Sequence, residues 1–259
     1  MDFRPKLMAF DLDGTLAESK QRVSAEMGEL FAELINAMPV AILSGAGFDQ
    51  FENQVLPALP TDTRFEKLFI FPTNAAECYV YKDGAWKPKY DLSFTTLERG
   101  RIMQALKESL AETGLNTIPE YKEEWGNQIE DRGAQITFSA LGQHAPVEAK
   151  KAWDPTRDKR KPLYDALKRR LPDFSIGVNA STSIDITKKG VNKAYGIRKL
   201  IELSGISVSE MLYVGDALQE GGNDSVVRQT GIKTQEVFGP EETARLIEEV
   251  LERARHPLS

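Results

Sequence analysis

The chain reads as an α/β protein: a core built on a parallel sheet, interrupted by an inserted α+β unit. Apolar runs at 7–10, 39–43 and 211–214 each stop abruptly at Asp, Ser or Gly, as buried parallel strands do when they end in loops. Amphipathic helical stretches flank those runs. The middle of the chain loses this strand–helix alternation and strings together strands with a period of two.

The first strand, 7–10, runs into Asp11 and Asp13, whose spacing would put both carboxylates on one side of an extended backbone. Gly14 allows a tight turn next. The same residues would also suit an acidic cap of the following helix. A helix is expected over 24–37, where Val23, Met27, Leu30, Phe31, Leu34 and Ile35 recur at three- and four-residue spacing behind a capping Ser24. Strand 39–43 ends in Ser44-Gly45-Ala46-Gly47. A short helix is expected over 48–56, and 67–72 forms a third strand. Residues 77–81 and 82–86 read as a hairpin, with Cys78 as a small buried hydrophobe.

The inserted unit is placed at 84–187, between core segments 1–83 and 188–259. Within it, a helix is expected over 96–113 and a second, basic on its exposed side, over 158–171. Strands are expected at Trp125, 128–131, 135–141, 174–178 and 183–187. The core resumes with a helix over 189–204, strand 211–214, a helical piece at 225–229, strand 234–237 and a closing helix over 241–253. The basic stretch from Lys150 to Arg170 reads mainly as a solvated surface, helped by interspersed acids.

Composition narrows the chemistry. A formal charge of -6 argues against nucleic acid as the main partner. Cys78 is the only cysteine, which excludes an intrachain disulfide and fits a cytoplasmic setting. With His144 and His256 the only histidines, a histidine-rich metal site and a Ser-His-Asp triad are nearly excluded. The N-terminus lacks the apolar region of a signal peptide, and no stretch approaches a membrane span. Chemistry must therefore rest on carboxylates, lysine and hydroxyls.

Three strands end in polar loops, at 11–15, 44–45 and 215–224, and a parallel sheet would gather those ends. Asp11 and Asp216 could hold Mg²⁺, a hard cation that prefers carboxylate and water oxygens. Ser44 and Thr15 offer hydroxyls and Lys193 an ammonium, the groups that phosphoryl transfer requires.

Asp11-Leu12-Asp13-Gly14-Thr15, Ser44-Gly45, Lys193 and Gly215-Asp216 with Gly221-Gly222-Asn223-Asp224 resemble, in order, the four motifs of the haloacid dehalogenase superfamily. The resemblance implies a Rossmann-like core with an inserted α/β cap of C2 type, Mg²⁺ as cofactor, and an aspartyl-phosphate. It makes Asp11 the nucleophile and Asp13 the acid/base, whose backbone carbonyl also meets the metal. Ser44 with Gly45 and Thr15 would bind phosphate, Lys193 would stabilise it, and Asp216 and Asp224 would complete the acidic metal site.

Within that superfamily the pattern is similar to the subclass of sugar-phosphate phosphatases and eukaryotic-type phosphomannomutases. Arg132, Ser183 and Asp185 fall where the mutases contact sugar phosphate. Gln143 stands where they carry an arginine for the distal phosphate, Lys20 replaces another arginine, and 71–76 lacks their acidic residue and glycine. Exchanging Arg for Gln forfeits a bidentate charged clamp, which a mutase handling a bisphosphate needs and a hydrolase does not. The balance favours a phosphatase acting on a small phosphorylated sugar or polyol. Phosphomannomutase is the first alternative and a noncatalytic binding protein the second. The resemblance also implies a homodimer formed through the cap.

Overall fold

The computed structural model describes residues 3–179, 181–220 and 222–255; Gly221 of the last motif and His256 lie outside the described residues. Along the chain run β1 (Leu7–Phe10), α1 (Ala25–Ala37), β2 (Val40–Leu43), α2 (Phe48–Gln54), β3 (Leu68–Phe71), β4 (Glu77–Lys82) and β5 (Ala85–Asp91). Then come α3 (Thr96–Thr113), β6 (Ile129–Asp131), β7 (Gln135–Ser139), α4 (Val147–Trp153), α5 (Lys161–Arg170), β8 (Phe174–Asn179) and β9 (Ser183–Lys188). The chain closes with α6 (Lys193–Ser204), β10 (Met211–Gly215), β11 (Lys233–Glu236) and α7 (Pro240–Arg255).

Two compact units result, Met1–Asp91 with Lys193–Ser259, and Leu92–Asn192. The first break falls after Asp91, not at 83, because β5 belongs to the core sheet. Asp83 and Gly84 take positive φ, the I′ geometry whose twist matches a two-residue hairpin, and β4 and β5 pair from Lys82↔Ala85 to Glu77↔Asp91. The second break falls at 192, not 187. A turn in which Val191 N–H donates to the Lys188 carbonyl separates β9 from α6, so the helix starts at Lys193 instead of 189.

The core sheet has seven strands in the order β11-β10-β1-β2-β3-β4-β5. Its pairs are parallel from β11 to β3 and antiparallel at β3–β4 and β4–β5. Met8, Phe10, Val40 and Ile42 join residues of α1 and α7 on one face; Leu7, Ala9, Ala41 and Leu43 join Ile197 and Leu200 of α6 on the other. Continuous apolar strands are what a sheet covered on both faces demands. Ser24 caps α1 by accepting the Met27 N–H at 3.2 Å.

The inserted unit is a four-stranded antiparallel sheet, β6-β7-β9-β8. Ile136, Phe138, Ile184 and Ile186 pack on α3 and α5 residues such as Ile102, Leu106, Leu163 and Leu167. Thr95 and Glu98 form a capping box that starts α3. Trp125 sits in a 3-10 turn, not a strand, and α4 was not expected at all: it is short, polar and opens after Pro146. Much of the basic stretch is paired at the surface, as Lys161 with Asp165 and Arg169 with Glu112. Arg160 is the exception. It is fully buried, with Nε 2.7 Å from Asp154 Oδ2 and Nη1 donating to the Ser183 carbonyl at 2.9 Å.

Burial decides what these pairs are worth. Removing one partner of a buried pair strands the other charge, at a cost of about 3–5 kcal/mol, whereas exposed pairs contribute little. Asp154→Ala should therefore lower the urea midpoint sharply, while Arg169→Ala should leave it nearly unchanged. Equal effects in equilibrium unfolding would show that Arg160 finds another partner.

Candidate active site

The site is set by which strands are neighbours. β10, β1 and β2 lie side by side, with Phe10 level with Val214 on one side and Ile42 on the other. Asp11, Asp216 and Ser44 each directly follow one of these strands, so they emerge along one sheet edge although far apart in sequence. Asp11 is fixed further by its N–H, which donates to the Val214 carbonyl at 2.9 Å.

Lys193, the first residue of α6, joins these loops. Its Nζ lies 2.6 Å from Asp11 Oδ1 and 2.6 Å from Asp224 Oδ1, and all three side chains are buried. Asp224 Oδ1 also accepts the Tyr213 hydroxyl at 2.6 Å, and its Oδ2 accepts the Ala217 N–H at 3.2 Å. Tyr213 was missed in the sequence because it stands in an apolar strand and reads as core. Carboxylate oxygens of Asp11, Asp216 and Asp224 lie within 4.8 Å of one another. Gly14 has φ +80, and a Cβ there would fall 2.5 Å from Asp216 Oδ2, so a side chain at 14 would displace the acid.

Asp13 stands apart from that carboxylate group. Its Oδ1 accepts the N–H of Lys20 at 2.6 Å, and Lys20 takes φ 59 to make the bond, a left-handed backbone unusual for lysine. Ser44 is buried; its Oγ accepts the Ala46 N–H at 3.1 Å and its carbonyl accepts the Asn74 N–H at 2.8 Å. Gly45 follows it in the same loop. That second bond comes from a turn in which Thr73, Asn74 and Ala75 all have positive φ (51, 54 and 66), here without any glycine. The Thr15 hydroxyl is buried with no hydrogen-bond partner among the described residues.

The remaining candidates belong to the inserted unit. Arg132 donates from Nε and Nη2 to Glu130 Oε2 at 3.1 and 2.6 Å, and Nη2 lies 3.5 Å from Gln143 Oε1. Gln143 is buried, and its carbonyl accepts Lys150 Nζ at 2.8 Å. Ser183 and Asp185 lie two apart on β9, and Asp185 Oδ1 accepts the Thr137 hydroxyl at 2.8 Å.

Residues 8–224 match the haloacid dehalogenase-like hydrolase family. The chain belongs to that family. By family it is an enzyme of the phosphotransferase type, and its pattern is phosphomannomutase-like. It is 26% identical to a phosphomannomutase of Spinacia oleracea, over 96% of this chain and 98% of that protein. It is 27% identical to a phosphomannomutase of Encephalitozoon cuniculi, over 95% of this chain and 94% of that one. Among solved structures, IMP-bound IMP-nucleotidase of Plasmodium falciparum superposes with a TM-score of 0.70 at 14% identity, over 96% of this chain and 68% of that one. That likeness concerns the fold.

Enzymes of the haloacid dehalogenase family use Mg²⁺, and this chain's acids suit it. Lys193 brings one positive charge to three closely spaced carboxylates. Burial drives the Asp11 carboxyl well above its ordinary range; Lys193 opposes this, while Asp224 and Asp216 add to it. Burial also pushes Asp216 up, to about 6, aided by Asp224 and opposed by Lys193. For Lys193 itself, burial works against the charge, but the two carboxylates outweigh it and hold its pKa above the usual lysine value. A hard divalent cation among these oxygens would relieve the excess negative charge. Asp11 and Asp216 have room for that task, whereas both oxygens of Asp224 are engaged with Lys193, Tyr213 and Ala217.

A carboxyl raised in the folded chain contributes stability that is fully present below about 4 and lost as pH rises through about 6. Metal-free wild type should therefore lose stability relative to Asp216→Asn across that window in thermal unfolding. Adding Mg²⁺ should raise Tm more at a pH of about 7.5 than at about 5, with the gain abolished in Asp216→Asn. An equal gain at both pH values would separate Asp216 from metal binding.

Proposed function

We propose that this protein is a Mg²⁺-dependent phosphomutase of hexose phosphates, of the phosphomannomutase kind, working through an aspartyl-phosphate. The observation that carries this is the buried Lys193 held 2.6 Å from both Asp11 and Asp224, in a chain that aligns with phosphomannomutases over nearly its whole length. That coverage shifts the balance from the phosphatase favoured by the sequence alone.

In the proposed reaction Asp11 attacks phosphorus, the bond to the sugar oxygen breaks, and the departing oxygen takes a proton from Asp13. Asp13 then removes a proton from the free hydroxyl of a bound hexose monophosphate, which takes the phosphoryl group from Asp11 to form the hexose 1,6-bisphosphate that the next attack by Asp11 consumes. Lys193, Ser44 and the Thr15 hydroxyl, with the Gly45 backbone, donate to the phosphoryl oxygens as charge redistributes. The Lys20 N–H orients Asp13, and Asp224 anchors Lys193. Mg²⁺, when held by Asp11, Asp216 and the Asp13 carbonyl, supplies positive charge against the phosphoryl oxygens. Arg132, Ser183, Asp185 and Gln143 are the proposed contacts to the sugar phosphate. The setting is cytoplasmic, the partner is a small phosphorylated sugar, and self-association through the inserted unit is part of the proposal.

A second reading, a sugar-phosphate phosphatase, is favoured by one feature of the inserted unit. Arg132 is committed to Glu130, and Gln143 beside it is neutral, a weak grip for a second phosphate. In that case water, deprotonated by Asp13, would cleave the aspartyl-phosphate.

Mannose 1-phosphate, Mg²⁺ and a catalytic amount of hexose 1,6-bisphosphate separate the two. The mutase reading expects mannose 6-phosphate to form much faster than free phosphate; phosphate release with little isomerisation would overturn it in favour of the hydrolase. In either reaction Asp13→Asn should lower turnover by about 10²–10⁴-fold and Asp11→Asn should abolish it. An active Asp11→Asn would remove the aspartyl-phosphate altogether.

A further inference from the structure

Tyr213 lies on β10 with its side chain wholly buried, three residues before Asp216. Strand alternation puts its ring on the same face as Gly215. A Cβ on Gly215 would come 2.5 Å from Asp224 Oδ2 and 3.0 Å from the Tyr213 ring, so the missing side chain at 215 is what lets phenol and carboxylate meet. They meet at 2.6 Å, on the same Asp224 Oδ1 that holds Lys193 Nζ at 2.6 Å.

We infer that Tyr213 is a positioning residue: its hydroxyl fixes the Asp224 carboxylate and thereby sets where the Lys193 ammonium lies against Asp11. This rests on the phosphoryl-transfer reading for its consequence, but not for its geometry.

Two donors converge on one oxygen of Asp224, and the Ala217 N–H holds the other. The carboxylate therefore cannot rotate without breaking contacts. Burial, together with the charge of Asp224, pushes the phenol well above its ordinary pKa, so it stays a donor. Its hydrogen bond takes up part of the negative charge of Asp224. Asp224 then draws less strongly on the ammonium, leaving more of that charge for Asp11 and the phosphoryl oxygens. Without the hydroxyl, Asp224 would be free to turn and to pull Lys193 away from Asp11.

Tyr213→Phe keeps the ring and its packing and removes only the donor. The first readout is the ¹⁵N–¹H NMR signal of the Lys193 ammonium, assigned by its loss in Lys193→Arg. Its shift should change in Tyr213→Phe, and its exchange with solvent should quicken several-fold. The second is steady-state kinetics on mannose 1-phosphate, where kcat should fall about tenfold with KM nearly unchanged. Adding Tyr213→Phe to Asp224→Asn should then cost little further rate, because the hydroxyl acts through that carboxylate. Thr243→Val, which removes a buried hydroxyl bonded to the Gly239 carbonyl in α7, controls for simple destabilisation.

An unchanged ammonium signal would overturn the proposal, as would a rate loss no larger than that of Thr243→Val at equal loss of Tm. An altered ammonium signal in a protein whose wild type transfers phosphate from no hexose phosphate would support the positioning role and refute the proposed function instead.

Discussion

The Lys193 ammonium sits 2.6 Å from Asp11 and 2.6 Å from Asp224, with all three groups out of water, and the rest of the site answers to that constraint. A buried cation needs compensating charge and its carboxylates need further donors, or the cost of removing them from water exceeds their attraction. The chain meets this by stacking hydrogen bonds behind Asp224, whereas Asp216, brought against the Asp11 loop, adds negative charge to the group. Both approaches require bare backbone: a Cβ at 215 would strike Asp224, and one at 14 would strike Asp216. Charge placement has thus dictated where side chains are missing.

The neighbouring loops tell a related story about backbone conformation. Lys20, Thr73, Asn74 and Ala75 are non-glycine residues with positive φ, a conformation costing of order 1 kcal/mol or more at each position. They are held by what they bond. The Lys20 N–H reaches Asp13, and the Asn74 N–H reaches the carbonyl of Ser44. Packing beneath the sheet has to supply the free energy that these turns consume at its edge.

The sequence exposed some of this and hid the rest for definable reasons. The strands β1, β2, β3 and β10 were legible because a doubly covered parallel strand is continuously apolar. Asp11 and Asp216 stood out as acids directly after apolar strands, and Asp224 only through the resemblance of Gly221-Gly222-Asn223-Asp224 to a family motif. Tyr213 was not, since a phenol in an apolar strand looks like core until its hydroxyl is seen on Asp224. Arg160 was read as solvated because charge runs usually are, and its Asp154 partner only becomes apparent once α4 and α5 are in place. The hairpin expected to end at Trp86 continues through Lys87-Pro88-Lys89 to Asp91, because an edge strand tolerates proline.

The interruption of the core also bears on how the chain emerges during synthesis. β1 sits in the interior of the sheet, but its partner β10 begins only at Met211, after the whole inserted unit. The inserted unit roughly doubles the loop that this pairing closes, from about 100 to about 200 residues, and a doubling costs only ~0.6 kcal/mol, so equilibrium stability hardly registers the detour. Timing does. Until β10 is made, one side of the apolar strand Leu7–Phe10 has unsatisfied backbone groups open to any passing strand. The nascent protein therefore carries Asp11, the proposed nucleophile, at the end of an unfinished edge.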